Sequence, residues 1–230
     1  MAKSKIIKEL ANGEVSTHVA LKRAKILLQE FNNDTLLKWV EQELTGYTDA
    51  ESMPDYRVAQ GTLRGTYIRH LPHTQMTYKH VSIPVGKMPV DLIKKITSMY
   101  FCEGAEELTR LMNVGDNKPL VKHLPADLYT TIARYNPTIC MEIVTAYVET
   151  SAPSVQGVLS AIESRLLDLF CYLEKQFGIL DELDIDVDSK TVQEQKEIID
   201  HISVLIYNDR RVTIGDNNKI KETTIASTME

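Results

Sequence analysis

The sequence has few residues of the kind that crosslink small secreted or metal-bound domains. Its 230 residues include three cysteines, Cys102, Cys140 and Cys171, which lie far apart and form no Cys-x-x-Cys pair. This pattern excludes a zinc knuckle and a secreted disulfide framework. Because a chain of this length can bury a sizeable core without crosslinks, we expect three free thiols, buried in a protein of the reducing cytoplasm.

Long apolar runs are also missing. No uncharged run approaches the ~20 residues that a membrane-spanning helix needs. The most apolar stretch, SRLLDLFCYLEK, is interrupted by Arg165, Asp168 and Glu174. The basic start, MAKSKIIKELANGEVS, lacks the apolar region of a signal peptide. We therefore expect a soluble, cytoplasmic protein with no membrane partner.

Clustered positive charge is scarce. The net charge is −6, and residues 181–200 contain eight acids and two bases, so the whole excess lies in that segment. Phosphate binding depends on clustered lysine and arginine side chains. Since the sequence shows no basic block or stripe, nucleic acid is not an expected partner.

Residues 16–46 have the pattern of two short helices that pack on each other. Apolar residues recur at steps of three and four in both halves, and the letters NND separate the halves. Ser16 or Thr17 can cap the first helix and Asp34 the second. Gly46 stands where a helix ends in the left-handed conformation. The spacing predicts an antiparallel helical hairpin.

Residues 151–178 predict the longest helix, which spans about 25 residues or ~37 Å. Ser151 can cap it, and Gly178 ends it. Its apolar seam follows alternating steps of four and three: Val155, Leu159, Ile162, Leu166, Leu169 and Leu173. A Thr-x-x-Glu capping box at Thr191 and Glu194 begins another helix, and we expect the two helices to pair antiparallel.

Strand patterns lie between these helical regions. Residues 54–85 are rich in β-branched and aromatic side chains and predict two strands joined around LPHTQ. Gly65 predicts a bulge or a close approach of two backbones. Residues 140–149 predict a further strand, with Cys140 and Val144 among its buried residues. Short helical patterns lie between these strands, at 89–100, at 103–112 and after Pro125. The predicted fold class is α+β and predominantly helical, with an N-terminal helical hairpin, a small antiparallel sheet and a long C-terminal helical pair.

The acidic segment resembles a calcium-binding loop only in part. Asp184, Asp186 and Asp188 have the spacing of the first three ligands of such a loop. Ser189 stands where the loop needs glycine for its sharp turn, and Gln195 stands where it needs a bidentate glutamate. A solvated acidic loop is the expected structure.

Other familiar sites are absent from the sequence. It contains no Gly-x-x-x-x-Gly-Lys, His-Glu-x-x-His or Gly-x-Ser-x-Gly motif. His70, His73 and His80 lie in or beside the predicted strands, but no cysteine or carboxylate joins them at ligand spacing. We expect surface or hydrogen-bonded histidines, and we predict no metal ion and no cofactor.

The densest group of polar and aromatic residues is LLKWVEQELTGYTDAESMPDYR, residues 36–57. Trp39 and Glu43 share one face of a helix, and four residues follow in one short connection: Tyr47, Asp55, Tyr56 and Arg57. An acid, an arginine and phenols can bind a ligand or position a proton donor, so the candidate catalytic residues are Glu43, Asp55, Tyr56 and Arg57. The alternative is a structural clamp in which Arg57 pairs with Glu43 or Asp55 and ties the helical hairpin to the sheet.

The run VALKRAKILLQEFNNDTLLKWVEQELTGY, followed by MPDYRVAQGTLRG and VSIPVG, resembles the N-terminal region of AbiTii-domain proteins. The matching positions are Ala20, Leu21, Lys22, Ala24, Lys25, Asn33, Trp39, Glu43, Leu44, Gly46, Tyr47, Pro54, Asp55, Tyr56, Arg57, Gly61, Ile83 and Pro84. The end of the chain, RVTIGDNNKIKETTI, is similar to the Ile-Gly-Asp-Asn-Asn segments that end many such proteins. The resemblance implies a toxin-like role in bacterial abortive infection and anti-phage defence, and it carries over no reaction or catalytic residue.

The last residues predict a β-hairpin-like tail. Four residues supply its apolar side chains: Val212, Ile214, Ile220 and Ile225. Four others predict the turn: Gly215, Asp216, Asn217 and Asn218. An isolated hairpin is marginal in water, whereas tails of several copies can pair their strand edges. We predict an AbiTii-like α+β domain at 1–207 and, at 208–230, a C-terminal β tail that acts as an oligomerisation element. The alternative is a tail docked on its own domain.

Two functions are consistent with these patterns. The first is a self-assembling defence effector or sensor, for which further copies of the chain, and a companion defence protein, are candidate partners. The second is a hydrolytic enzyme toxin that acts on nucleotides or nucleic acid, with a site near Glu43, Asp55, Tyr56 and Arg57. The scarcity of clustered basic residues and of metal-ligand spacing counts against the second.

Overall fold

The computed structural model of the protein describes residues 3–50, 53–114 and 119–207. These ranges contain eight α-helices: α1 Lys5–Ala11, α2 Thr17–Gln29, α3 Asp34–Thr45, α4 Val90–Thr97, α5 Ala105–Val114, α6 Asp127–Arg134, α7 Ala152–Phe177 and α8 Val192–Tyr207. They also contain six strands: β1 Val58–Gln60, β2 Thr62–Leu71, β3 Thr74–Ser82, β4 Ser98–Tyr100, β5 Leu120–His123 and β6 Met141–Thr150. The α+β, mainly helical class is confirmed. The predicted tail at 208–230 lies outside the described residues.

Helix α7 forms the centre of the helical layer. All six residues of its predicted seam are buried, and α1, α2, α5 and α8 pack around it. The ammonium of Lys190 lies 5.6 Å from the ring centre of Phe177 at one end of α7, and Arg165 Nε donates to Ile206 O over 2.9 Å near its middle. Helices α7 and α8 therefore run antiparallel, as predicted. In the described ranges, no helix combines the length and apolar character needed to cross a membrane.

The strands form two antiparallel sheets. β1 pairs with β4, and the larger sheet has the order β3-β2-β6-β5. Alternate residues of β2, among them Leu63, Gly65 and Tyr67, are buried, and α4 and α6 cover that face through Ile96 and Ile132. The opposite face is more open. Since β6 ends at Thr150 and α7 begins two residues later, the sheet joins the helical layer directly.

Gly65 lies where β2 comes very close to β6, as its position predicted. A Cβ atom on Gly65 would lie 1.9 Å from Thr145 O. The register with β6 shifts just after this point, from Thr66 opposite Thr145 to Tyr67 opposite Ile143. Val144 is therefore the extra residue of a bulge. The bulge shifts the inward and outward alternation of side chains along β6 by one residue. For that reason Val144 is 48% exposed, and its predicted burial is wrong.

Helix caps agree with the sequence prediction in part. The capping box of α8 is confirmed, since Thr191 N donates to the Glu194 carboxylate over 2.8 Å. Asn33 rather than Asp34 caps α3, because its side-chain oxygen accepts a hydrogen bond from the N–H of the third residue after it. Ser151 precedes α7, but its side chain makes no capping hydrogen bond among the described residues.

Several short elements differ from the predicted ones. The helix expected over residues 89–100 ends at Thr97, because the next three residues form β4. Neither β4, β5 nor α1 was predicted. Strands of three or four residues are too short for an alternating pattern to be recognised. Helix α1 is only seven residues long, and its burial depends on contact with α7.

The three cysteines are free, but they are not buried as predicted. Cys140 is exposed, and Cys102 and Cys171 are half-buried. Cys140 precedes β6, where the backbone turns with φ of 24°. Its place at the end of the sheet, outside both hydrophobic clusters of the described residues, accounts for the exposure.

We expect Cys140 to react first with a chromogenic disulfide reagent at neutral pH. Burial, followed by the neighbouring carboxylate of Glu103, raises the pKa of the Cys102 thiol and lowers its thiolate fraction. Stopped-flow absorbance should show a fast phase that Cys140→Ser removes and Cys171→Ser retains. A fast phase that survives Cys140→Ser would contradict this order.

Candidate functional site

The residues of the predicted polar cluster meet at the end of α3. Trp39 and Glu43 are both fully buried, one turn apart on the same helical face. The chain leaves α3 at Gly46 and returns through a 3₁₀ turn at Asp55–Arg57. The segment between β4 and α5 forms the third side of the site, because the N–H of Phe101 donates to the carbonyl of Arg57 over 3.0 Å.

The carboxylate of Glu43 is surrounded by hydrogen-bond donors. Its Oε1 accepts from Tyr47 Oη over 2.7 Å and from Tyr56 Oη over 2.6 Å. Its Oε2 accepts from Arg57 Nη2 over 2.6 Å and from Arg57 Nε over 3.2 Å. The side chains of Glu43 and Arg57 are both 0% exposed. A buried carboxylate is tolerated only when it is paired and bonded in this way.

Arg57 also holds the backbone of a distant segment. Its Nη1 donates to Phe101 O over 2.8 Å and to Glu103 O over 2.6 Å. Its guanidinium carbon lies 4.8 Å from the ring centre of Tyr47. One side chain therefore joins the carboxylate of α3 to the chain that enters α5, and the planar five-donor guanidinium suits this role better than lysine would.

Two glycines let these backbones meet. A Cβ on Gly46, whose φ is +100°, would lie 2.6 Å from Cys102 O. A Cβ on Gly104 would lie 2.3 Å from Leu44 O. The amide of Tyr47 donates to the same Cys102 carbonyl over 2.8 Å. The end of α3 thus packs directly on the chain that leads into α5, and only a residue without a side chain fits at either position.

Tyr56 extends the network towards α7. Its hydroxyl donates to Glu43 and accepts from Trp39 Nε1 over 3.1 Å. The guanidinium of Arg165, from the middle of α7, lies 3.9 Å from the ring centre of Tyr56. Arg165 also donates to the carbonyls of Ala161 and, in α8, Ile206. The network therefore touches α3, α7 and α8.

Both phenol hydroxyls of the site donate hydrogen bonds to Glu43. Burial raises the pKa of Tyr47, and the Glu43 carboxylate raises it further. The pKa of Tyr56 is raised by the same two causes in the same order. Both hydroxyls therefore stay protonated at neutral pH, where they can stabilise the carboxylate but cannot act as phenolate bases or nucleophiles.

The geometry favours the structural clamp over a catalytic site. A general base must reach a substrate proton, whereas the oxygens of Glu43 are buried and engaged by Tyr47, Tyr56 and Arg57. Arg57 pairs with Glu43, and Asp55 is exposed at the start of the 3₁₀ turn. Of the four candidate catalytic residues, the structure thus brings three together and leaves Asp55 at the surface.

Sequence reasoning missed five members of this network: Phe101, Cys102, Glu103, Gly104 and Arg165. The first three take part through backbone carbonyls, which any residue provides, so their side chains carry no signal. Arg165 does carry a sequence signal, because it interrupts an apolar helix. Its partner Tyr56 is too far away along the sequence to be recognised from that signal. Gly104 precedes a helical pattern, a position where glycine is common and draws no attention.

The acidic loop and the histidines make ordinary contacts. The Asp186 carboxylate accepts from the Ser189 amide over 3.0 Å and so caps a 3₁₀ turn. On the open face of the sheet, His70 Nε2 lies 3.2 Å from the Glu142 carboxylate. Across the parts of the chain that the structure describes, no three or more histidine, cysteine, aspartate or glutamate side chains are grouped to hold a metal ion.

Of three comparisons with known proteins, one gives a match. Neither the curated proteins nor the solved structures include a match to this chain. The sequence model of the AbiTii family matches residues 4–199, a span that includes the clamp, all six strands and α1 to α7. Because this match covers most of the sequence, the protein belongs to the AbiTii family.

Proposed function

We propose that this protein is an anti-phage abortive-infection protein, a toxin-like effector or sensor of the bacterial cytoplasm that self-assembles through residues 208–230. Membership of the AbiTii family, whose name refers to abortive infection, is the observation that carries the defence role. Further copies of the chain are the proposed partners, and a companion defence protein is a second proposed partner.

The clamp supports a scaffold at this position rather than a reaction centre. Glu43 and Arg57 have no exposed surface through which a substrate could reach them. The hydrolase alternative relied on these residues, and their contacts give it no support. The proposal therefore assigns Glu43, Tyr56 and Arg57 to holding α3 against α5 and α7, and it leaves Asp55 without a catalytic role.

Packing at the end of α8 supports a domain at 1–207 and a separate tail at 208–230. Ile206 is fully buried, and Tyr207 Oη donates to Thr35 O over 3.5 Å. Helix α8 is therefore packed to its last turn by residues that precede the tail. The family match also ends before the tail, at residue 199. A domain that packs without the tail leaves the tail available for other copies of the chain.

The proposal is tested by deleting residues 208–230. We expect the truncated protein to keep its helical circular-dichroism signal and its melting temperature, because α8 keeps its contacts. Its mass in multi-angle light scattering should fall to that of one chain, and cells that express it should lose protection in a phage plating assay.

A matched pair of variants separates the tail's apolar residues from its length. One variant replaces Val212, Ile214, Ile220 and Ile225 with serine. The control replaces Val212 with isoleucine and each of the three isoleucines with valine. The serine variant should behave like the truncation, and the control should behave like the full chain. A truncated protein whose mass equals that of the full chain would refute self-assembly through the tail.

A further inference from the structure

The sheet has one long edge that no described residue covers. β3 is the outer strand of the order β3-β2-β6-β5 and has nine residues, seven of them exposed. The other edge strand, β5, has four residues, and its Lys122 is already bonded to the carbonyls of Ile96 and Ser98. An open edge presents unpaired N–H and C=O groups and is a ready template for another strand.

Only part of this edge is regular. Residues 74–78 pair one-to-one with residues 71–67 of β2. Beyond them the register shifts, and His80 has φ of +53°. A bulge of this kind ends regular pairing at a sheet edge. The regular edge therefore offers five residues, or about 17 Å, which is an ordinary length for one added strand.

One face of this edge is apolar. Met76 is 45% exposed, and Tyr78 is half-buried with its ring stacked on Tyr67 at 4.9 Å. Met76 and Tyr78 are two residues apart and share a face, and the Tyr78 hydroxyl lies 3.8 Å from the Met76 sulfur. Thr77 points to the other face. The pattern that a partner strand meets is therefore apolar, threonine, apolar.

We propose that this edge receives the tail of a second copy of the chain, which adds residues around Val212 to Ile214 as a fifth strand beside β3. Val212-Thr213-Ile214 repeats the apolar, threonine, apolar pattern of Met76-Thr77-Tyr78. Cross-strand pairs of apolar residues and of threonines stabilise neighbouring strands. The inference rests on the proposed self-assembly through the tail and names the surface that receives it.

Charge favours the tail over a second β3 edge. Strands β2 and β3 together carry Arg64, Arg69 and Lys79 and no acid. Two β3 edges would therefore bring like charges together, which is a common way in which proteins prevent edge-to-edge pairing. The tail instead has four acids and four bases, so it adds no net positive charge to this edge.

The tail also begins in a suitable direction. Since α8 runs antiparallel to α7, its C-terminal end points towards the end of α7 that joins β6 and the sheet. Val212 lies five residues after Tyr207, so the connecting segment can extend about 17 Å, at roughly 3.3 Å per residue. The β3 edge of the adjacent copy must therefore lie within that distance of the end of α8.

A charged residue on the edge tests the proposal in the full-length protein. Met76→Lys should reduce the mass in light scattering to that of the tail-deleted protein, because it places a charge against Val212 or Ile214. Val121→Lys on β5 is the matched control, since Val121 is 43% exposed and should keep the full mass. If Met76→Lys keeps the mass while tail deletion lowers it, the tail assembles elsewhere and this inference is wrong. If tail deletion also leaves the mass unchanged, the proposed self-assembly is wrong as well.

Mixed cysteine variants identify the strand and the copy. In a Cys140→Ser background, Thr77→Cys protein is mixed with Thr213→Cys protein and oxidised. A disulfide-linked pair of chains in the mixture, and not in either protein alone, is the expected result. A protein that carries both substitutions and forms only a disulfide within one chain at high dilution would show that the tail docks on its own domain, which overturns the proposal.

Discussion

Arg57→Ala is expected to lower the free energy of unfolding by about 3–5 kcal/mol, the usual effect of breaking a buried ion pair. The substitution would leave the Glu43 carboxylate buried without its cation. It would also remove the donors for the carbonyls of Phe101 and Glu103. Urea denaturation followed by circular dichroism measures the loss, which is a large fraction of the roughly 5–15 kcal/mol that stabilises an ordinary domain.

A surface ion pair between α2 and α3 provides the control. Lys25 and Glu41 approach to 2.9 Å, with side chains that are 35% and 55% exposed. Lys25→Ala should change the stability by less than about 1 kcal/mol, because solvent screens this pair. If Arg57→Ala melts like Lys25→Ala but abolishes phage protection, the clamp interpretation fails and a functional site near Glu43 gains support.

Gly65→Ala is expected to be the most damaging single-methyl change, with a loss of about 3 kcal/mol or more. The added Cβ would lie 1.9 Å from Thr145 O and 2.9 Å from Ile83 Cδ1. The nearer atom belongs to the backbone of β6, which cannot move without disturbing its pairing with β2. The midpoint of urea denaturation should fall accordingly, and the melting temperature should fall with it.

Gly157→Ala is the matched control for this change. Gly157 lies on the exposed side of α7, and a Cβ there meets no atom within 4 Å. The same substitution should therefore stabilise the protein by roughly 0.5–1 kcal/mol, because alanine loses less backbone entropy in a helix. Equal effects at the two glycines would contradict the close approach of β2 and β6.

The long elements were predictable because their signals are local. The seam of α7 and the capping box of α8 are patterns within one helix, and both are present. Gly65 was also informative, since glycine inside a strand pattern is typical of a bulge or a close backbone approach. The burial of Val144 was predicted wrongly, because the bulge that turns it outward depends on pairing between β6 and a strand more than seventy residues away.

The clamp, too, was predictable from the sequence only in part. Its acid, phenols and arginine stand together in the sequence, and their types restrict them to a clamp or a ligand site. The sequence did not distinguish Glu43 from Asp55 as the partner of Arg57, because that choice depends on how the chain between α3 and the 3₁₀ turn folds back. The decisive groups, the carbonyls of Phe101 and Glu103, belong to another part of the chain.

The sequence by itself determined the family, the α+β class, the long helices and the residue types that meet at the end of α3. Spacing and side-chain chemistry act over a few residues, so the order of residues along the chain is enough to reveal them. Only the tertiary structure decided which carboxylate is buried, which face of β6 turns outward and which edge of the sheet is left open. Those features depend on contacts between distant segments, where desolvation and backbone pairing select one arrangement among several that the local pattern permits.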